Sequence, residues 1–351
     1  MHTEFFLGAN SGRGFRSFCD EFCSSDGDML YLIKAGPGGG KSGFMRRIAQ
    51  AAEAMGYDLE YILCSGDPDS LDGVYIPALK LGFADATAPH VAEPRRFGYD
   101  SCYVNLGQFC RRAYSEDIPR YQASYKSFYE RAYALLNAAA AVKSAPIPGL
   151  ITEAELEKCR KRAKSAVMRE LGTNPHGSGV LSHRLISAIS CRGEIALSDT
   201  VNSLCKQIYL LDDRCGLAAC YLETVIIEAQ RLGESLTVCP SPLLPDKPEA
   251  VLLPERSLGF VSSSVMRIDA PYRHVRLDAL IPDERLRQCR PELRRAEKTY
   301  RALIDEAVLN LSRAKRQHDL LEAAYRPYMD FEALTSFTDE FAALLFGRTA
   351  I

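Results

Sequence analysis

Residues 29–44 read Met-Leu-Tyr-Leu-Ile-Lys-Ala-Gly-Pro-Gly-Gly-Gly-Lys-Ser-Gly-Phe. An apolar strand, a glycine-rich turn and a Lys-Ser pair that opens a helix are typical of the phosphate-binding loop of nucleotide enzymes. The signature G-x-x-x-x-G-K-[ST] is met by Ala35, Gly40, Lys41 and Ser42, with Ala35 in place of the first glycine. The stretch therefore predicts a polyphosphate site.

Each residue type in this loop has its own chemical reason. Glycines let successive N–H groups converge on phosphate oxygens, and the new helix adds its positive N-terminal end. Lys41 is expected to neutralise the β- and γ-phosphates, and the Ser42 hydroxyl to ligate Mg²⁺. ATP and Mg²⁺ are thus the expected cofactors, with ATP preferred to GTP because no Asn-Lys-x-Asp motif occurs. The predicted binding residues are Gly36, Pro37, Gly38, Gly39, Gly40, Lys41, Ser42 and Gly43.

The composition is that of an ordinary soluble globular protein. Its 351 residues provide for about two domains. A formal net charge of −2 gives no general attraction to nucleic acid or to a membrane. Neither a secretory signal nor a membrane span is expected, so we predict a cytoplasmic location. The 12 cysteines form no C-x-x-C pair, which favours reduced, apolar side chains over a zinc site.

A faint internal repeat runs through the chain. Residues 6–14 match residues 185–193, 179 positions later, and Cys64 matches Cys239, 175 positions later. Such a colinear series predicts two copies of one unit. We therefore predict two domains, residues 1–175 with the intact loop and a helical hairpin, and residues 176–351 with a degenerate loop and C-terminal helices.

The second copy differs where the phosphate chemistry would take place. Ala219 and Cys220 replace the lysine and the hydroxyl residue, and one glycine remains in the loop. Asp212 and Asp213 also place negative charge beside the expected phosphate position. We predict that this copy keeps its strand and helix as core and has lost its nucleotide site.

The predicted fold is α/β, with two tandem P-loop NTPase-like three-layer units that contain parallel sheets. A long helical segment is expected after each unit, at about residues 105–171 and 284–325, where apolar residues keep helical spacing. Arginine and lysine outnumber acids in residues 271–316, but the acids are interleaved with them. This pattern favours a solvated helix face over a nucleic-acid surface.

Further acidic residues are candidates for catalysis. Asp85 ends an apolar segment, 44 residues after Lys41, where a P-loop enzyme needs a second Mg²⁺ contact. Its counterpart in the second copy is Ser262. In the acidic loop of residues 64–73, Asp67, or alternatively Asp69 or Asp72, is a candidate base or water-orienting group. We accordingly predict Lys41, Asp85 and Asp67 as catalytic residues, and Ser42 and Asp85 as metal ligands.

Four other side chains are weaker candidates for contacts with a bound phosphate. Thr87 and His90 follow Asp85 closely enough to contact a γ-phosphate, although a loop histidine is more often merely exposed. Arg13 and Arg192 share one position of the repeat. Either could serve as a charge finger if the halves face each other, and a surface role is the alternative.

Three segments carry a family resemblance: residues 34–45, residues 64–74 (Cys-Ser-Gly-Asp-Pro-Asp-Ser-Leu-Asp-Gly-Val) and residues 85–91 (Asp-Ala-Thr-Ala-Pro-His-Val). With them the chain resembles a family of bacterial tandem P-loop proteins that are labelled ATPases or ATP-binding proteins of uncharacterised role. The resemblance implies ATP binding at Lys41 and Ser42. Family members often keep a usable loop in both halves, and this chain departs from that pattern at Ala219 and Cys220.

The sequence predicts an ATP-binding protein that acts as a slow Mg²⁺-dependent ATPase with one active and one degenerate site. One alternative is a kinase-like phosphoryl transferase for a small molecule, favoured by the missing Glu after Asp85 and by the acidic loop. The other is a non-catalytic interaction module switched by nucleotide, favoured by the lost second site. A protein partner or a homo-oligomer is compatible with each of these functions.

Overall fold

The computed structural model describes residues 2–88 and 92–347. The first half contains β1 (His2–Phe6), β2 (Gly8–Ser11), β3 (Gly14–Ser17), β4 (Met29–Lys34), α1 (Lys41–Ala54), β5 (Leu59–Leu63), β6 (Leu71–Ile76), β7 (Leu81–Asp85), β8 (Ser101–Asn105), α2 (Asp117–Ser144) and α3 (Glu153–Leu171). Six of these strands form a sheet in the order β1-β5-β6-β7-β4-β8, and β2 pairs with β3 in a separate hairpin. The α/β class is confirmed.

This sheet is mixed, so the expectation of parallel sheets is wrong. Strand β6 runs antiparallel to both β5 and β7, while the other neighbouring pairs are parallel. The reason lies in the connection from β6 to β7, which consists of one 3-10 turn (Pro77–Leu79) and Lys80 in a left-handed conformation. A parallel neighbour would need a crossover of roughly a dozen residues or more.

The second half repeats this topology. It contains β9 (Leu181–His183), β10 (Ser187–Ser190), β11 (Gly193–Ala196), α4 (Ser198–Leu204), β12 (Gln207–Asp212), α5 (Ala218–Leu232), β13 (Leu236–Pro240), β14 (Pro248–Leu253), β15 (Leu258–Ser262), β16 (Arg273–Arg276), α6 (Asp283–Tyr325) and α7 (Phe331–Gly347). Its sheet order β9-β13-β14-β15-β12-β16 matches that of the first sheet strand by strand. The internal repeat is therefore confirmed, and the two copies meet where Phe6 and Leu185 exchange backbone hydrogen bonds of 2.9 Å.

The inner faces of the two sheets share one buried core. Within β4, Leu30 and Leu32 belong to this core together with Ile208 and Leu252 of the second sheet, whereas Ile33 faces the helical side. Short elements such as α4 and the 3-10 turn Cys19–Glu21 also pack into this core. The expected pair of separate three-layer units is corrected accordingly, because each half covers the inner face of the other.

The long helices cross between the halves. Helices α2 and α6 run antiparallel, since Tyr125 packs on His318 at 5.3 Å between ring centroids and Lys143 lies 3.9 Å from Glu297. Helix α3 then packs on α5 of the second half, and α7 packs on α1 of the first. The domain boundary at residues 175/176 stays a prediction: each sheet lies on one side of it, and α3 and α7 pack across it.

Gly82 and its repeat counterpart Gly259 provide a matched test of the shared core. A Cβ on Gly82 would lie 2.6 Å from Cys23 Sγ, whereas one on Gly259 would lie 3.2 Å from Cys205 Sγ. We expect Gly82→Ala to lower the free energy of unfolding by about 1–3 kcal/mol through overpacking, and Gly259→Ala to lower it less. Urea denaturation of both variants measures the difference. Equal losses would contradict the packing described for Cys23.

Candidate functional site

The turn between β4 and α1 provides a cradle for an anion. We call residues 35–42 the first loop. Gly38 and Gly40 adopt positive φ angles of 66° and 79°, which glycine adopts without strain. Gly40 directly precedes α1 and has no side chain with which to cap it. The first amides of a helix have no intrahelical acceptor, and they attract negative charge. The loop therefore offers N–H donors to a phosphate.

The structure brings Lys41 and Asp85 together. Strand β7 lies beside β4 with Ile33 opposite Asp85, so Asp85 reaches the edge of the sheet at which the first loop begins. Lys41 Nζ lies 3.6 Å from Asp85 Oδ2, and both side chains are largely buried, at 15% and 14% exposed. Lys41 also donates to the carbonyl oxygens of Ala35 at 3.2 Å and Gly36 at 3.3 Å. The ammonium is thus held over the first loop.

Oxygen atoms suited to a cation lie in the same place. Ser42 Oγ accepts a hydrogen bond from the Leu71 amide at 3.1 Å. Asp85 Oδ1 accepts from the Thr87 amide at 2.8 Å and from Thr87 Oγ1 at 2.5 Å, so the carboxylate is fixed in orientation. Hydroxyl and carboxylate oxygens are the ligands that Mg²⁺ prefers. The donor set therefore fits a Mg²⁺–polyphosphate at this loop, while His90 lies outside the described residues.

The acidic loop is tied to the second half of the chain. Asp67 accepts from Ser70 Oγ at 3.0 Å and lies 3.4 Å from Lys315 Nζ on α6. Asp69 pairs with Arg192, and the repeat-related Arg13 pairs with Asp246 at 2.6 Å. The two arginines therefore reach across the halves, Arg192 to the acidic loop of the first copy and Arg13 to the corresponding loop of the second. A catalytic role for Asp67 stays a prediction.

Helices α6 and α7 cover the first loop. The Gly38 amide donates to Glu322 Oε1 at 3.2 Å, so a carboxylate of the protein itself contacts the cradle. Leu334 of α7 lies so close that a Cβ on Gly40 would stand 2.5 Å from its Cδ2. Sequence reasoning missed both residues, because the 284 positions between Gly38 and Glu322 leave no motif that links them. The C-terminal end of α6 and the first turn of α7 therefore form a lid over the first loop.

Glu322 also belongs to a small polar cluster. His318, Asp319 and Glu322 bring one potential ligand atom each within 4.8 Å of one another. His318 Nδ1 lies 3.7 Å from Glu322 Oε1, and Asp319 pairs with Lys315. The segment of α6 beside the first loop thus holds both signs of charge, and Glu322 is its contact with the loop.

The corresponding turn of the second half, residues 213–220, is called the second loop. Its cradle is filled by Asp213, whose carboxylate accepts four backbone N–H bonds of 2.8–3.1 Å, from Cys215, Gly216, Leu217 and Ala218. These are the amides at the start of α5 that would otherwise face a ligand. The counterpart of Asp85, Ser262, bonds instead to Ser264 at 2.8 Å. The second loop therefore carries its own anion in place of a phosphate.

A cavity of about 1060 Å³ lies over the second loop rather than the first. Its wall includes Asp213, Glu249 and residues of α6 between Leu286 and Arg301. Glu249 accepts a hydrogen bond from Ser187 and stands at the repeat position of Asp72. Burial raises the pKa of the Glu249 carboxyl to about 8, the hydrogen bond from Ser187 opposes the rise, and the charge of Glu194 adds to it.

The chain matches no protein-family model, and neither a curated protein nor a solved structure matches it. Within residues 2–88 and 92–347, none of the helices combines the length and the apolar character that crossing a membrane requires. The resemblance to bacterial tandem P-loop proteins stays a prediction.

Asp213→Ala should destabilise the protein, because four amides at the start of α5 lose their acceptor. We expect the free energy of unfolding to fall by about 1–3 kcal/mol, as measured by urea denaturation. The neighbouring Asp212 serves as the control, since its carboxylate is 40% exposed and lies 3.8 Å from His274. Asp212→Ala should cost less than about 1 kcal/mol. A loss no larger for Asp213→Ala than for Asp212→Ala would contradict this role.

Glu249→Gln should change how stability depends on pH. Folded Glu249 keeps its proton up to about pH 8, whereas the unfolded group loses it near the ordinary value of 4.5. Between these values the unfolded state binds fewer protons, so the free energy of unfolding falls as pH rises. Because glutamine cannot ionise, the free energy of unfolding of the variant does not show this fall. The free energy of unfolding of the variant should therefore rise relative to that of the wild type by up to about 1.4 kcal/mol per pH unit in this window.

Urea denaturation at pH 5 and pH 8 measures that gain. Glu255→Gln is the control, because Glu255 is exposed and its replacement changes the net charge by the same amount. Its curve should run parallel to that of the wild type. A parallel curve for Glu249→Gln as well would show that the buried carboxyl does not hold its proton.

Proposed function

We propose that this protein binds ATP with Mg²⁺ at the first loop and hydrolyses it slowly, with the second loop serving as a structural copy. The observation that carries the proposal is the contrast between the two loops. The second loop satisfies its amides with its own Asp213, whereas the first loop holds Lys41 and Asp85 together, and its Gly38 amide donates to Glu322 of a distant helix.

Each residue of the first loop has a part in this proposal. The loop amides and the positive end of α1 would hold the phosphates, and Lys41 would leave the carbonyls of Ala35 and Gly36 to neutralise them. Ser42 and Asp85 would hold Mg²⁺, which offsets the charge that develops on the phosphate oxygens. Thr87 keeps the Asp85 carboxylate in orientation. Ala86, and not a glutamate, follows Asp85, which accords with slow hydrolysis.

The contact between Glu322 and Gly38 favours a second candidate, a protein switched by nucleotide. A phosphate that takes the Gly38 amide must displace the Glu322 carboxylate, because both are anions and require the same donor. Binding would then move the end of α6 even if hydrolysis is negligible. The kinase-like alternative has no comparable support from the contacts of Asp67, and it stays a prediction.

Lys41→Ala tests the site. The variant should bind ATP at least about tenfold more weakly than the wild type, because hydrogen bonds to charged groups contribute about 1.5–3 kcal/mol. Isothermal titration calorimetry with ATP, with and without Mg²⁺, measures the affinity. Lys206→Ala is the matched control, since Lys206 is an exposed lysine of the second half. Unchanged affinity in Lys41→Ala would refute the assignment.

Glu322→Gln tests the lid. Removing the carboxylate should raise the affinity for ATP by roughly threefold to tenfold, because phosphate no longer competes with a resident anion for the Gly38 amide. Glu340→Gln removes one exposed carboxylate from α7 and is the control for the change in net charge. An equal gain in both variants would assign the effect to overall charge, and no gain in Glu322→Gln would contradict the competition.

A further inference from the structure

The cavity over the second loop has a wall of cations that no acid of the described chain neutralises. Arg290, Arg294 and Lys298 are spaced four residues apart on α6, so they lie on one face of the helix. Lys247, from the connection between β13 and β14, lines the cavity as well. Throughout residues 2–88 and 92–347, none of the four has an acidic oxygen within 4.0 Å.

The acids that line the same cavity already have partners. Asp278 pairs with Arg214 at 2.8 Å, and Glu297 pairs with Arg301 at 2.7 Å. Asp213 is held by the four amides at the start of α5. Glu194 accepts from the Tyr300 hydroxyl at 2.9 Å. The cavity is therefore left with positive charge that a ligand must balance.

The floor of the cavity offers hydrogen-bonding groups for the rest of a ligand. Ser241 and Ser263 contribute hydroxyls, which can donate or accept. Glu249 lies among them, buried against Ser187. A protonated carboxyl can donate to a ligand oxygen, and burial favours that form of Glu249. A volume of about 1060 Å³ lies at the upper end of the range for small-molecule sites, roughly 300–1,000 Å³.

We propose that this cavity binds a small polyanion, a metabolite with two or more phosphate groups, whose charges lie against Arg290, Arg294, Lys298 and Lys247. The site is distinct from a second nucleotide cradle, because Asp213 already takes the amides that would bind a phosphate chain there. It also differs from an extended nucleic-acid surface, since the four cations border a single half-open cavity, while Glu292 and Glu297 are interleaved with them along α6. The inference stands independently of ATP binding at the first loop.

Inorganic tripolyphosphate is the probe. It is titrated calorimetrically into the full-length Lys41→Ala protein, in which the first loop is weakened, at low and at physiological salt. Saturable binding with one site is expected. The double variant Arg290→Gln/Arg294→Gln in this background should bind the probe at least about tenfold more weakly, because two charge-assisted contacts are lost.

The matched control is Arg287→Gln/Arg295→Gln, which removes the same charge from α6 at exposed residues outside the cavity wall. It should retain the affinity of the background to within about twofold, and thermal unfolding of both double variants should be unchanged because all four side chains are exposed. Absence of saturable binding, or an equal loss in the two double variants, would overturn the proposal.

Discussion

The shared core between the two sheets is the constraint on which the rest of this structure depends. Each sheet has its longer helices on one face, and its other face is buried against the other copy together with short elements such as α4. Apolar surface of this extent has to be removed from water, so neither copy is complete without its twin. The backbone bridge between Phe6 and Leu185 fixes where the copies meet. With the sheets back to back, the helical sides point away from each other, and α2 and α6 have to cross to reach the opposite half.

Within this symmetric frame the two loops have diverged in how they satisfy the same group of amides. In the second half, the amides at the start of α5 donate to the Asp213 carboxylate, which belongs to the second loop itself. In the first loop, the Gly38 amide instead donates to Glu322, a carboxylate on a helix of the other half. An anion supplied by the same loop is permanent. An anion supplied by a distant helix can be exchanged for a ligand, and this difference separates a structural copy from a binding site.

Much of the first loop could be predicted from sequence, because its chemistry is local. The strand, the glycines, Lys41 and Ser42 are contiguous, and Asp85 follows from the rule that neighbouring parallel strands end at one edge. The repeat was visible for the same reason, since the two copies are colinear. The antiparallel β6 could have been inferred from the four residues 77–80, which are too few for a crossover. The lid formed by α6 and α7 could not be predicted, because Glu322 lies 284 positions from Gly38 and only the assembled halves bring the two together. The interleaved acids of the basic stretch predict a solvated helix face, and Arg290, Arg294 and Lys298 are indeed exposed; that they also border a cavity depends on the fold of the second half.

The length of helix α6 allows one element to contact both halves of the protein. It is a single element of 43 residues, and from Arg294 near one end to Glu322 near the other it spans about 42 Å at 1.5 Å per residue. The same helix thus contacts the first loop in one copy and forms a wall of the cavity in the other. If ligands at its two ends prefer different positions of the helix, each must alter the affinity of the other by the same factor, as thermodynamic linkage requires. Helix α6 therefore provides a physical connection between the first loop and the cavity of the second half.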